Sequence, residues 1–597
     1  MALALTVALR RRVGLEWAAS PLHHLLIAGP RPEGLAAQPR DLRPVNRETG
    51  QRILAGAFVL AGQTLQAGVR GDPWDRPAPS RRFAAALHRF DWLGDLVAQG
   101  EAGAWEALRL TLAWRRLFGR WNAFSWDPQV LERRVFNQAC ALHAVSAPAS
   151  EAEADEVAGD LARQARFLLD VRDGPARAAE RAAAAGVAGA ALGGRAGTQL
   201  LRRALRRLES ALPQTVTADG GHASRSPQAA LELLFDLTTL EDALAQRRIA
   251  SPEAVMRAVD RLAGAVRFFT LADGRLAALQ GGEALPGAYV AAVRAQDELG
   301  ERPVRPSRNG YQRLEARGLQ VIADAAAPAT GPWSVAACGQ PLAIEVLAGG
   351  KRLIVGSGWS PQSTGPQALR LVDAASTAAV ADASCGAPLT GFAARILGPR
   401  LRGAYAVSEA RRHEAPGALW LELAHDGWAA RFGLRHERRL YLDAESGELR
   451  GEDRLTPLAG DRGPTGLHGN PVPPRFASDP QRGSIGRRFA PFVVRFHLHP
   501  QVSALIARDQ KSVLLKAEGQ ETGWWLRNDA LEVALEPSAY HQDGQARHGQ
   551  QIVLRGQARL DAGARVRWKL SAAEERAPGR ADEGAAESRV DAAAAPA

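Results

Sequence analysis

The sequence predicts a multidomain α + β protein in which an N-terminal helical array is followed by a large antiparallel β-sandwich. Two observations predict this fold class. Apolar residues recur at three and four positions from about residue 80 to residue 300, and from about residue 306 they alternate with polar residues. Gly, Asn-Gly and Asp-Gly turns separate the alternating segments. Such a switch of period in mid-chain indicates successive domains of different structural class.

The overall composition is that of a globular protein. With 597 residues, 46% hydrophobic and 23% charged, the chain is long enough for about two to four domains. No run of about 18 apolar residues predicts a transmembrane helix, and three widely spaced cysteines predict neither a disulfide framework nor a zinc cluster. The start, MALALTVALRRRVGLEW, puts its apolar run before its arginines, so no signal peptide is recognisable and a cytoplasmic location stays open.

The N-terminal half is expected to contain an extension and then the helices. Residues 1–75 are rich in Pro, Arg and Gly without a sustained period, and we expect an extension with one short strand or helix at RILAGAFVLAG. Residues 76–305 contain at least seven amphipathic segments, among them GAWEALRLTLAWRRLFGRW and GTQLLRRALRRLESAL. Short connections between them favour a helical array over a βαβ fold.

Residues 306–572 are predicted to form the sandwich. In VVRFHLHP the apolar residues point to one face of a strand, and Arg495, His497 and His499 point to the other. Several such strands joined by tight turns are typical of two packed antiparallel sheets. The remaining residues, 573–597, are poor in aromatics and rich in Ala, Glu and Pro, so the sequence predicts a disordered tail there.

The net charge is strongly positive, at +11 with a pI near 10.3. Almost all of it is arginine, spread among Glu and Asp in segments such as LLRRALRRLES. Because the arginines form neither a basic tail nor an aromatic-interleaved stripe, we do not expect nucleic-acid binding. A basic surface suits an anionic polysaccharide that contains uronate.

The most unusual short segment is DGGHASRSP, residues 219–227, between two predicted helices. Ser226 is expected to cap the second helix, with Pro227 in its first turn. His222 therefore lies on an interhelical loop, where binding and catalytic groups often gather. An equally simple interpretation is that Asp-Gly-Gly makes the turn and His222 only packs or caps.

The order of motifs resembles the heparinase II/III superfamily of polysaccharide lyases. WDPQVLERRVFNQA resembles the helix of that family with Arg-x-x-Asn, DGGHASRSP resembles its DGGHxxRSP loop, and FFTLADGRLAALQGGE resembles its GDGR turn. The resemblance runs from about residue 81 to residue 570. It implies that the helical array is an (α/α) toroid, and that the protein acts in the cell envelope or periplasm.

The resemblance also implies a chemistry, β-elimination next to a uronic acid. Such a site needs a donor for the carboxylate, a base for the C5 proton and an acid for the leaving oxygen. On this basis His222 is the first candidate for catalysis. Tyr311 opens the sandwich and Tyr289 ends the helical region, so either is a second candidate. The substrate-binding candidates are Asn137, Arg225 and Arg275, and no cofactor is required.

A lyase that cleaves a uronate-containing polysaccharide is therefore the first expectation, and departures from the family pattern are the reason for an alternative function. Ser224 stands where active members carry an acid, and Cys338 and Gln340 stand where His and Asp are expected. The Asn-His pair of the toroid is replaced by DVRDGPARA. The alternative is a catalytically reduced relative that binds or helps to process an envelope polysaccharide without cleaving it.

One group of residues in the sandwich could bind a structural divalent metal such as zinc. His425 and Asp426 precede a turn, and His436 follows eleven positions after His425 on what we expect to be the paired strand. The competing interpretation is a polar, solvated face of the sheet.

Overall fold

A computed structural model describes residues 2–295, 304–360, 363, 365–403, 405–458 and 489–573. It confirms the predicted order, with helices first and two large antiparallel sheets after them. The helices of the first half are α1 (Ala2–Ala19), α2 (Pro21–Ala28), α3 (Arg47–Leu54), α4 (Arg81–Arg89), α5 (Leu93–Val97), α6 (Glu101–Phe118), α7 (Pro128–Ser146), α8 (Glu151–Asp170), α9 (Ala178–Ala191), α10 (Gly194–Thr215), α11 (Pro227–Gln246), α12 (Glu253–Phe269) and α13 (Gly287–Arg294).

Helix α9 lies at the centre of the toroid. Its residues from position 179 to position 191 are all buried, and they are mostly alanine. Small side chains allow the neighbouring helix to approach closely: a Cβ on Gly189 would lie 2.6 Å from the Leu201 backbone nitrogen. Because α9 is otherwise apolar, the charges of Glu180 and Arg181 inside it require partners.

The first 75 residues are part of the toroid and not a separate extension. Gln38 exchanges two hydrogen bonds with Gln246 at the end of α11, and Arg43 forms a 2.7 Å ion pair with Asp236 of the same helix. The segment RILAGAFVLAG ends α3 and supplies β1 (Ala57–Leu60), which pairs with β2 (Gln63–Gln66). The segment also adds Ile27, Ile53, Phe58 and Trp74 to the hydrophobic core of the toroid. The sequence interpretation missed this because these apolar residues are too widely spaced to form a period.

The sandwich consists of two sheets. The eight-stranded sheet has the order β11-β12-β13-β14-β21-β18-β17-β16 and the other sheet has the order β19-β20-β15-β7-β6-β5-β4-β3, with β8 paired to β15. The strands are β3 (Ser307–Arg308), β4 (Tyr311–Ala316), β5 (Leu319–Asp324), β6 (Ile344–Ala348), β7 (Lys351–Val355), β8 (Ala378–Val380), β11 (Val407–Ala415), β12 (Ala418–His425), β13 (Leu434–Asp443), β14 (Leu449–Pro457), β15 (Phe489–Leu498), β16 (Val502–Ile506), β17 (Ser512–Ala517), β18 (Trp524–Asn528), β19 (Glu532–Gln542), β20 (Gln545–Arg559) and β21 (Ala564–Ala572).

Shorter elements complete the sandwich domain. The strands β9 (Ala387–Pro388) and β10 (Leu401–Arg402) form a small hairpin of their own, and the short helices α14 (Gly391–Leu397) and α15 (Ala429–Phe432) lie in loops. The predicted disordered tail, residues 573–597, falls outside the described residues from position 574 onward. Within the described part of the chain, no helix has the length and apolar character needed to span a bilayer.

One predicted strand face differs from the expectation. His497 and His499 on β15 are buried rather than exposed. His497 bonds Ser538 Oγ at 2.7 Å and the Asp373 carbonyl oxygen at 2.9 Å. The alternation in the sequence correctly predicts two faces of the strand, but not that the polar one is buried, with Asp373 of a loop and Ser538 of β19, two strands away in the same sheet, bonded to His497.

Arginines join the toroid to the sandwich. Arg313 of β4 donates to the carbonyl oxygens of Phe268 and Thr270 at the end of α12. Arg352 of β7 forms a 2.6 Å ion pair with Asp273 and donates to the Leu276 carbonyl oxygen. Both arginines are buried, so the turn at residues 271–276 is held against the sandwich.

Candidate functional site

The DGGHASRSP loop requires its glycines. Gly220 and Gly221 have φ values of +87° and +119°, which glycine adopts at little cost and other residues avoid. A Cβ on Gly221 would lie 2.6 Å from the side-chain Cγ of Asn309 in the sandwich. As predicted, Ser226 caps α11, accepting a hydrogen bond from the Ala229 amide. The loop is therefore a tight connection that is pressed against the second domain.

His222 is buried, with 4% of its surface exposed. Its Nδ1 accepts a hydrogen bond from the Ser224 amide at 3.1 Å and lies 2.7 Å from the Ser224 hydroxyl. Nδ1 therefore carries the lone pair, and Nε2–H donates to Glu180 Oε1 at 3.3 Å. The ring also makes an edge contact with Trp333 at 5.6 Å. Both ring nitrogens are engaged inside the protein.

Glu180 belongs to a chain of charges that sequence reasoning missed, in which both carboxylates are buried and the Arg177 side chain is 37% exposed. Arg177, at the start of α9, forms an ion pair with Glu132 of α7 and lies 4.0 Å from Glu180. Burial alone would raise the pKa of Glu180, but the Arg177 charge and the His222 hydrogen bond lower it to about 2. Burial raises the pKa of Glu132. The available signal was a glutamate inside an alanine-rich helix, two positions after the segment DVRDGPARA.

One carboxylate oxygen of Glu180 has no hydrogen-bond partner among the described residues. Glu180 Oε2 is buried without a hydrogen bond among the described residues. An ionised carboxylate normally accepts several hydrogen bonds, so this oxygen is the acceptor of the group that stays available to a water molecule or a ligand.

Arg225 links the loop to the sandwich instead of presenting a free cation. Its five N–H groups donate to the carbonyl oxygens of Asn309, Gly310, Ala326 and Ala327 and to the Asp324 carboxylate. A guanidinium has five N–H donors, so all of them are used. The geometry gives Arg225 a positioning role and leaves it no donor for a substrate carboxylate.

Tyr311 supports the same junction. Its hydroxyl donates to the Arg225 carbonyl oxygen at 2.9 Å, and its ring packs 4.6 Å below the Arg225 guanidinium. Tyr311 is fully buried, and burial raises its pKa well above the usual range. The hydroxyl that the sequence offers as a catalytic candidate is thus a hydrogen-bond donor to the backbone of the loop.

Asn137 and Tyr289 lie in a second polar group, which we call the toroid cluster: Arg43, Asp91, Arg133, Asn137, Asp236 and Tyr289. Asn137 Nδ2 donates to the Arg89 carbonyl oxygen at 3.0 Å and lies 3.5 Å from Asp91 Oδ1. Tyr289 makes an edge contact with Phe235 at 6.2 Å, and burial together with nearby carboxylates raises its pKa.

The arginines of the toroid cluster are neutralised. Arg43 and Arg133 both bind the Asp236 carboxylate, at 2.7 and 2.8 Å. The Arg133 guanidinium also lies 4.4 Å over the Phe136 ring. Since one carboxylate is shared and Asp41 and Asp91 lie nearby, the cluster offers little net positive charge to an anionic sugar.

Arg275 is a contact between the two domains. It donates to the Ala284 carbonyl oxygen at 2.9 Å and forms a 3.2 Å ion pair with Asp543 in the β19–β20 turn. At the positions where the family has His and Asp, Cys338 and Gln340 are both buried. Gln340 Nε2 donates to the carbonyl oxygens of Leu369 and Leu371, so these departures hold loops in place.

The metal candidates form a hydrogen-bonded chain inside the sandwich. Gly427 N donates to His425 Nδ1, His425 Nε2 lies 3.1 Å from His436 Nδ1, and His436 Nε2 lies 2.9 Å from Asp453 Oδ1. Asp426 turns away and accepts from the Ala406 amide. Across the described residues no group of three or more His, Cys, Asp or Glu side chains is arranged to hold a metal.

Comparison with known protein families and sequences identifies two relationships. The heparinase II/III-like C-terminal family matches residues 304–573, the sandwich. Over almost the full length, the chain is 52% identical to FtsZ-localized protein C from Caulobacter vibrioides (strain NA1000 / CB15N), across 560 residues that cover 94% of each protein.

Three solved structures share the fold over both domains. A heparinase III has a TM-score of 0.66 at 13% identity, covering 95% of this chain and 91% of that one. The heparinase III BT4657 gene product has a TM-score of 0.60 at 11% identity, covering 95% and 90%. The heparan sulfate lyase HepC from Pedobacter heparinus has a TM-score of 0.56 at 13% identity, covering 94% of this chain and 89% of that one. At these identities the likeness is one of fold.

Proposed function

The chain belongs to the heparinase II/III superfamily, and from this premise we propose that it is a polysaccharide-lyase relative that binds a glycan without cleaving it and works together with FtsZ. The observation that carries the first part is the state of His222. Its lone pair at Nδ1 is taken by Ser224 and its Nε2–H by Glu180. A general base must reach the proton that it abstracts with a free lone pair.

The arginines support the same proposal. β-Elimination needs a group that neutralises the uronate carboxylate, yet Arg225 has all five donors in use inside the protein. Arg43 and Arg133 share the Asp236 carboxylate. Releasing any of them would leave buried acceptors unsatisfied, which costs about 1–3 kcal/mol for each.

The second part of the proposal comes from the relative. FtsZ-localized protein C is named for its position with FtsZ, and this chain is 52% identical to it over 94% of both lengths. We infer that this chain also localises with FtsZ, and that its site of action is the compartment in which FtsZ assembles rather than the periplasm.

The experiment has two arms. Purified full-length protein is incubated with heparan-type, alginate and bacterial uronate polymers while the absorbance of unsaturated products is followed; we expect no product. In parallel, the protein is sedimented with polymerised FtsZ, with the same amount of unpolymerised FtsZ as the control; we expect it to pellet only with polymer.

The opposite results overturn the proposal arm by arm. Unsaturated product that disappears in His222→Ala would establish the β-elimination that the family fold implies. Failure to pellet with FtsZ polymer, or pelleting equally without it, would remove FtsZ as a partner while leaving the glycan question intact.

A further inference from the structure

Helix α10 carries several arginines on its outward face. Its apolar side chains, among them Leu201, Ala204 and Leu208, are buried in the core of the toroid. The opposite face is exposed, and apart from Pro213 every exposed residue on it is polar or charged. We call four of these residues the α10 arginines: Arg195, Arg202, Arg206 and Arg207.

Three of the α10 arginines follow one line along the helix. Arg195, Arg202 and Arg206 are seven and four positions apart, spacings that place them on the same side of a helix with 3.6 residues per turn. At a rise of 1.5 Å per residue the line is about 16 Å long. Arg207 lies beside its end, so the four cations can act together on one partner.

The α10 arginines are not used inside the protein. Among the described residues, none of them has a carboxylate within ion-pair distance, whereas Arg203 on the flank of the same helix is paired with Asp170 of α8. Exposed arginines elsewhere in the toroid are also paired, as Arg52 is with Glu48. All four guanidinium groups therefore remain available to another molecule.

The carboxylates close to this face do not cancel its charge. Glu209 is the exposed carboxylate of α10 itself, and Glu33 packs against Gly194 at the start of the helix. Arg247, at the end of α11, adds a cation by donating to Thr198 Oγ1 at 3.4 Å. With the α10 arginines this gives five cations and two carboxylates, a surplus of three positive charges.

The helices on either side are balanced by themselves. α12, which packs against α10, has as many exposed arginines as exposed carboxylates, and Arg257 is paired with Glu253. At the end of α8, Asp170 is taken by Arg203. The acidic start of α8 lies about 22 Å from that pair along the helix, well beyond the screening length of about 8 Å. The surplus is thus local to α10.

The composition of this face selects the kind of partner. It exposes no aromatic side chain on which bases could stack and no large apolar side chain that could enter a lipid surface. Double-stranded DNA carries about one charge per 1.7 Å, far more than three surplus charges along 16 Å can match. A polypeptide segment with a few carboxylates matches both the number and the spacing of the arginines.

We propose that the outward face of α10 is an interaction surface for an acidic polypeptide segment of a protein partner. The proposal rests on the proposed function, from which we take FtsZ polymer as that partner. Carboxylates of the segment form ion pairs with Arg202, Arg206 and Arg207, whose guanidinium groups can each bind a carboxylate through two hydrogen bonds. The surface is separate from His222, which α10 and its loop keep buried.

Sedimentation of the full-length protein with increasing FtsZ polymer tests the surface. In the triple variant R202Q/R206Q/R207Q we expect the apparent Kd to rise at least about tenfold, and wild-type binding to weaken with added salt. The matched control removes three exposed arginines from the sandwich, R439Q/R565Q/R567Q. It lowers the net charge by the same amount and should leave the Kd unchanged.

A fluorescein-labelled oligo-glutamate peptide tests the chemistry of the segment without FtsZ. We expect it to bind the wild type and the sandwich control, and to bind the α10 triple variant at least about tenfold more weakly. An oligo-glutamine peptide of equal length is the neutral probe and should not bind. Thermal unfolding establishes that both triple variants are folded.

The outcomes separate this surface from the proposed function. An unchanged Kd in the α10 triple variant, or an equal loss in the sandwich control, overturns the surface while FtsZ stays a partner. Oligo-glutamate binding that depends on the α10 arginines, without pelleting of the wild type by FtsZ polymer, removes FtsZ and keeps the acidic partner. Single-stranded DNA that binds as tightly as oligo-glutamate and loses affinity in the same variant overturns the polypeptide as the ligand.

Discussion

The imidazole of His222 and the carboxylate of Glu180, 42 positions apart in the chain, meet at 3.3 Å inside the toroid. The histidine comes from an interhelical loop and the carboxylate from the most buried helix. With Ser224 on its other nitrogen, His222 is held in one tautomer. This pair makes His222 part of the packing between loop and helix, and it is the contact on which the non-cleaving proposal depends.

Substitutions of Glu180 should measure how much its contact with His222 stabilises the folded protein. Glu180→Gln keeps an acceptor for His222 and should lower the free energy of unfolding by about 1–2 kcal/mol. Glu180→Ala leaves the buried Nε2–H of His222 without an acceptor and should cost about 3 kcal/mol. Urea unfolding measures both, and Glu209→Gln on the exposed face of α10 is the control, within about 0.5 kcal/mol. Equal effects of all three changes would contradict the buried contact.

Arg225→Lys should be strongly destabilising although the charge is retained. An ammonium has three donors and cannot serve five acceptors in a planar fork, so we expect a loss of about 3 kcal/mol or more. Tyr311→Phe removes one hydrogen bond at the same junction and should cost about 1 kcal/mol. Thermal unfolding measures both, with Arg206→Lys as an exposed control. If Arg225→Lys unfolds like the wild type, the arginine is available for another role.

Gly221→Ala should destabilise more than Gly174→Ala. Both glycines have positive φ, at +119° and +83°, so both variants pay backbone strain of about 1–3 kcal/mol. Only at Gly221 would the new Cβ also meet the Asn309 side chain, whereas nothing lies within 4 Å at Gly174. The difference in unfolding free energy between the two variants isolates the contact with the sandwich; no difference would mean that the loop can move away.

Stability should fall as the pH is lowered below 6.5. Burial lowers the pKa of His497 to about 4, while in the unfolded chain the value is near 6.5. Folding therefore excludes a proton that the unfolded chain binds. The contribution of His497 to the free energy of unfolding is fully present above pH 6.5 and is lost as the pH falls toward 4. The loss from this group is about 3 kcal/mol.

A pair of variants isolates that contribution. Several other buried histidines have lowered pKa values and add to the same slope: His88, His425, His436 and His499. His497→Gln should therefore flatten the dependence of unfolding free energy on pH without removing it. His548→Gln, at an exposed position of β20, should leave the dependence as it is, and an identical slope in both variants would refute the assignment.

Much of the fold could be predicted from the sequence because each domain has its own period. The cap at Ser226 and the loop position of His222 were also predictable, since turn and cap residues act locally. What surrounds His222 was not predictable. Glu180 reaches the loop only through the packing of α9, and no pattern in the sequence around it shows that its charge faces a histidine 42 positions away.

The same limit applies to the candidate residues of the site. Arg225 looks like a substrate ligand in the sequence because it is a cation beside a loop histidine. Its five acceptors come mostly from backbone carbonyls some 85 to 100 positions later, and main-chain groups carry no sequence signature.

The arginines between the domains determine where the chain can be divided. Arg313 and Arg352 of the sandwich donate to the toroid, and Arg225 of the toroid donates to the sandwich. Cutting the chain between the last toroid helix and β3 would leave buried guanidinium groups on both fragments without their hydrogen-bond acceptors. Neither fragment should therefore behave as an independent module. A gene that lost the part encoding one domain would encode the other domain in a less soluble form.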